Sequence, residues 1–78
     1  MDDKQILDTE IGGVLVRNMS ALTFLQYVAN KLNGAPTYKA GTQELLAAVS
    51  HAPLSNAMSD DEKVRLVRQM ERAEIPFP

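Results

Sequence analysis

Apolar residues recur with helical spacing in three stretches of the chain, and in a fourth they suit either a helix or a strand. The clearest stretch is the last. At 100° per residue, Leu66, Val67, Met70 and Ala73 fall on one face of a helix, while Asp61, Arg65, Arg68 and Arg72 crowd the other. Ser59 suits the N-cap, with Glu62 at the third helical position to complete a capping box. Acids lead and bases trail, as the helix dipole favours, and Pro76 prevents continuation beyond about residue 73.

A second helix is predicted over 21–33, capped by Ser20 and closed by Gly34 in a left-handed conformation, with Pro36 just beyond. Its apolar set, Ala21, Leu22, Phe24, Leu25, Val28, Ala29 and Leu32, covers roughly 160° of arc, wider than the ~100° stripe of a surface helix. Such a helix is expected to be contacted from two sides. A third helix starts near Thr42, sets Leu45, Leu46, Ala48, Val49 and Ala52 on one face, and stops at Pro53. Ala47 and Ala48 permit close approach of a neighbour.

The first nineteen residues admit two readings. In one, Asp2 caps a helix with Gln5 at its third position, Leu7 and Ile11 share a face, and Gly12 ends it. In the other, Gly12-Gly13 is a two-residue hairpin turn pairing Ile11 with Val14, Thr9 with Val16 and Asp8 with Arg17. That register would turn Leu7, Thr9, Ile11, Val14 and Val16 inward and set opposite charges across from each other. The helical reading is favoured, because a lone hairpin is marginal and no third strand is in view. The expected fold is therefore mainly α, a small bundle of three to four short helices, the alternative being an N-terminal β-hairpin plus three helices. Residues 1–78 are read as a single small helical domain with 75–78 as an extended C-terminal tail.

Size sharpens this picture. A chain of 78 residues has a small core, and below roughly 80 residues a lone core seldom supplies more than ~3–5 kcal/mol. With no cysteine and one histidine, neither a disulfide nor an ordinary structural zinc site can reinforce it, which leaves oligomerisation as the expected staple. Charge is uneven: from Asn18 to Met58 only Lys31, Lys39 and Glu44 carry formal charge, so the middle reads as core or interface. The net charge of −2 gives no long-range attraction to nucleic acid or an anionic membrane. No secretory leader or stretch of about 18 apolar residues is present, so a cytoplasmic protein without membrane contact is expected.

Candidate chemistry is sparse. His51 has Ser50 and Ser55 nearby in sequence, but adjacent helical positions do not face one another, and no triad is visible. Asp60, Asp61 and Glu62 radiate from a first helical turn, where carboxylates serve the dipole; calcium loops instead alternate their oxygens around a glycine. Neither Gly12-Gly13 nor Gly34 stands in a phosphate-cradling pattern. No enzyme, metal or cofactor is expected.

Lys63, Arg65, Arg68 and Arg72 form the one concentration of positive charge and are the candidate basic face, which a small DNA-binding regulator could use. Three acids lead that helix where bases would be met, and the join over 53–58 exceeds the three or four residues of a helix-turn-helix. A solvated face with Asp61 and Arg65 paired is the simpler expectation. Phe24, Tyr27, Tyr38 and Phe77 are the candidate protein interface, although Phe24 also suits the core. The tail Ile75-Pro76-Phe77-Pro78 either folds back over the core or is offered to another chain, and fold-back is favoured. By elimination, the sequence points to a self-associating protein-interaction module that regulates, inhibits or adapts a partner protein.

Overall fold

In the computed structural model, residues 1–35, 42–51 and 57–78 are described, apart from the side chain of His51. Both N-terminal readings hold in part, because the segment divides between them. Helix α1 spans Asp3–Leu7, capped by Asp2 in a complete box: Gln5 N–H donates to Asp2 Oδ1 and Asp2 N–H to Gln5 Oε1, both at 2.8 Å. It stops at Leu7, well short of Gly12, because Asp8 takes the C-cap and the Thr9 hydroxyl bonds back to the Gln5 carbonyl at 2.7 Å. The chain then enters strand β1 (Glu10–Ile11), turns through Gly12-Gly13 and returns as β2 (Val14–Leu15).

The hairpin register is the expected one. Ile11 opposes Val14, Glu10 opposes Leu15, Val16 N–H reaches the Thr9 carbonyl at 3.0 Å, and Arg17 forms an ion pair with Asp8. Gly12 and Gly13 both have positive φ, +60° and +83°, as a two-residue turn between right-twisted strands requires. Val14 departs from the inward set, at 42% exposure, since the hairpin tip lies at the surface with both glycines. A 3-10 turn, Val16–Asn18, follows and carries Val16 into the core.

Helix α2 spans Ala21–Asn33, and Ser20 caps it by accepting from Thr23 N–H. Gly34 does not adopt the left-handed conformation: its φ is −94°, and the helix closes through tight bonds from Gly34 N–H to the Lys31 carbonyl and from Ala35 N–H to the Leu32 carbonyl. Helix α3 covers Thr42–His51. Leu45 is fully buried and Ala48 and Val49 pack partly, but Leu46 is 46% exposed, because the stripe that meets the core is narrower than the apolar set. Ala47 is exposed too, and Ala52 lies outside the described residues.

Helix α4, Asp60–Arg72, has the capping box read from Ser59 and Glu62. Its buried face of Val64, Leu66, Val67, Met70 and Ala73 meets Phe24, Leu25, Val28 and Leu32 of α2 in one core, with Ile6, Val16, Met19, Leu45 and Ile75. Helix α3 packs on α2 and α4, and α1 packs on α4.

The end of α4 contains a feature absent from the sequence reading. Glu74 stands at φ +60°, the Glu74 N–H donates to the Glu71 carbonyl at 3.0 Å, and the Ile75 N–H reaches back to the Met70 carbonyl at 2.9 Å. These paired bonds around a left-handed residue are a Schellman stop, with buried Ile75 and Met70 as its apolar contact. It redirects residues 75–78 back over the bundle.

Candidate interaction surface

Of the proposed basic face, only part lies on the surface. Lys63 is 3% exposed, and its ammonium donates to the carbonyls of Met19 at 2.7 Å, Val16 at 2.9 Å and Arg17 at 3.4 Å. The assignment of Lys63 to a basic face is thus corrected. The physical reason is its register: positions 63, 66, 67 and 70 share one helical face, so its methylene stem follows the core while its three donors meet carbonyls at the end of the 3-10 turn. Burial lowers the Lys63 pKa from 10.5, and the negative charge of Asp60 opposes that shift.

The arginines are exposed and partly engaged. Arg68 pairs with Asp3, and Arg72 stands 3.9 Å from a Glu44 carboxylate oxygen. No ion pair joins Asp61 to Arg65 among the described residues, so the expected i,i+4 pair does not form. Glu62 is occupied with its cap, and among the described residues no three His, Cys, Asp or Glu side chains gather as a metal group. No helix among the described residues is long and apolar enough to cross a membrane.

The aromatic candidates separate in the same way. Phe24 is fully buried, which corrects its place in the interface set: it belongs to the hydrophobic core shared by the helices. Tyr38 lies outside the described residues, as does the His51 side chain. Tyr27 and Phe77 are half-buried and meet edge to face, with ring centroids 6.0 Å apart and planes at 79°. Phe24 lies behind Tyr27 at 6.3 Å. One turn along α2, the Lys31 ammonium sits 5.7 Å from the Tyr27 ring centroid and donates to the Pro78 carbonyl at 3.1 Å.

Residues 75–78 therefore fold back on α2 through one aromatic contact, Phe77 on Tyr27, and one hydrogen bond, Lys31 to Pro78. The Tyr27 hydroxyl is buried without a hydrogen-bond partner among the described residues, and burial pushes its pKa up to about 12. Tyr27 and Phe77 are both singled out in the sequence, and fold-back of the tail is its favoured reading; the pairing of the two rings is a finding of the fold.

On the remaining surface, Leu22 of α2 is 49% exposed and Leu46 of α3 is 46% exposed. Around Leu22 the exposed α2 residues Thr23, Gln26 and Asn30 are polar but uncharged. No family model, curated protein or solved structure matches the chain.

Proposed function

We propose that this chain is a non-enzymatic protein-interaction module of the cytoplasm that self-associates and acts as a small regulator, inhibitor or adaptor of another macromolecule. The observation that carries this reading is the outer face of α2, where Leu22 stands half-exposed among uncharged side chains. A face without charge can meet its own copy across a twofold axis without setting like charges together. Leu46, half-exposed on the neighbouring α3, is a further large apolar side chain at the surface.

The reading as a DNA-binding regulator has less support than before. Burial of Lys63 and the pairing of Arg68 leave a thinner positive face for phosphates. Light scattering at tens of micromolar tests the favoured reading: the unaltered chain should exceed its monomer mass, and Leu22→Asp should return it to a monomer with its helical signal intact. A unaltered chain that stays monomeric would refute self-association.

A further inference from the structure

The chain carries one Asn-Gly pair, Asn33-Gly34, and the fold sets it where α2 ends, with both residues exposed. A main-chain nitrogen that follows asparagine is a nucleophile for the side-chain carboxamide, and glycine, with no Cβ, leaves its approach open. A Cβ built on Gly34 would meet nothing closer than the Lys31 carbonyl oxygen at 3.8 Å, so among the described residues nothing crowds the attacking nitrogen. Asn18 and Asn30 lack this opening, since Met19 and Lys31 follow them.

Two features hold the pair back. Gly34 N–H donates to the Lys31 carbonyl at 3.2 Å, and Asn33, the last residue of α2, keeps a helical ψ. A five-membered ring forms only if that ψ rotates until the Gly34 nitrogen reaches Asn33 Cγ, which breaks the closing bonds of Gly34 and Ala35. A terminal turn at the surface opens at small cost, unlike the turns that pack in the core.

We propose that Asn33-Gly34 is a self-modification site at which the asparagine becomes a carboxylate, and that this charge switches off association through the Leu22 face. The Gly34 nitrogen, its proton lost to solvent base, bonds to Asn33 Cγ; the carboxamide C–N bond breaks, and ammonia leaves with a proton from water. Water then opens the succinimide at either carbonyl, leaving aspartate or its β-linked isomer, with nothing oxidised or reduced. Leu22 and Asn33 lie eleven residues apart on α2, which at 100° per residue puts them within about 20° of each other, with Gln26 between. The product carboxylate thus lands on the face whose lack of charge supports self-association, where it must meet its own like or lose its water. It also stands at the C-terminal end of α2, where the helix dipole disfavours it. The switch rests on the self-association reading; the chemistry at Asn33 does not.

Intact-mass spectrometry of the full chain held at neutral pH tests the site, with fragmentation to locate the change. Asn33 should gain one dalton ahead of Asn18 and Asn30, faster as pH is raised and faster still in urea, where the closing turn is gone. Gly34→Ala, which fits the φ of −94° without a clash, should keep the helical signal and slow the gain by about tenfold or more. Conversion more than about a hundredfold slower in the folded chain than in the peptide Lys-Leu-Asn-Gly-Ala, or equal rates for the unaltered chain and Gly34→Ala, would overturn the site. In light scattering, Asn33→Asp should move the chain toward its monomer mass, while Asn33→Ser should not. If Asn33→Asp keeps a higher mass that Leu22→Asp abolishes, the switch is refuted and self-association stands. If the unaltered chain is already monomeric, self-association fails and takes the switch with it, while the mass at residue 33 still decides the site.

Discussion

Two lysines hold chain segments to this bundle by donating to main-chain carbonyls, and they do so under opposite conditions. Lys63 reaches three carbonyls of residues 16–19 inside the protein, whereas Lys31 reaches one carbonyl of the tail at the surface. Water competes for the second contact and is excluded from the first. The same side chain is therefore an obligatory part of the core at one end of the molecule and a light fastening at the other.

Substitution at Lys63 severs the interior tie. Lys63→Met keeps the apolar stem but leaves carbonyls without their donor, so urea unfolding should show a loss of about 2–4 kcal/mol. Truncating Phe77 should cost less, about 1–2 kcal/mol, because the ring is only half-buried and full burial of such a side chain is worth ~1.5–3 kcal/mol. Equal losses for the two variants would erase the distinction between an interior tie and a surface fastening.

Alkaline titration separates the two regions, because they respond with opposite sign. Tyr27 ionises near 10 in the unfolded chain and at about 12 in the fold, so its contribution is present below pH 10 and is lost as pH rises through about 12. For Lys63 the folded pKa lies below 10.5, so as pH approaches 10.5 the unfolded chain holds more protons there and this residue's contribution grows. Tyr38→Phe leaves Tyr27 as the only tyrosine, and its absorbance at about 295 nm should titrate near 12 in the folded chain but near 10 in denaturant.

Smaller effects belong to the joints. Glu74→Gly keeps the left-handed stop at less steric cost, and after the added flexibility of the unfolded chain is offset it should stabilise by about 0.5 kcal/mol. Asp8→Asn breaks a surface ion pair with Arg17 and should cost at most ~1 kcal/mol, shrinking as salt is added.

What was legible in the sequence was local. The Ser20 and Ser59 caps, the Gly12-Gly13 turn and the Asp8–Arg17 pairing each depend on residues within a few positions or across one tight hairpin. Lys63 was misread because its charge suggested solvent, although its spacing to Leu66, Val67 and Met70 placed it on the core face. Its acceptors lie 44 to 47 residues away, beyond the reach of any local pattern. The left-handed position was expected at Gly34 and occurs instead at Glu74, where tertiary packing of Ile75 against the core outweighs the preference for glycine. In the interaction surface, Tyr27 was visible as an amphipathic edge, and only the folded chain brings it against Phe77.

The Lys63 contact also bears on how the chain assembles. By joining residues 16–19 to α4 it encloses α2 and α3 in one long loop, the place a disulfide would take in a secreted protein of this size. A covalent bridge restricts the unfolded chain as well; this tie exists only once both ends are folded, so the full loop-closure entropy is incurred on every passage from the unfolded state. Residues 16–19 should accordingly dock late, after α4 has formed, and refolding after denaturation should be insensitive to reductants and oxidants, because no thiol chemistry is needed to restore the link.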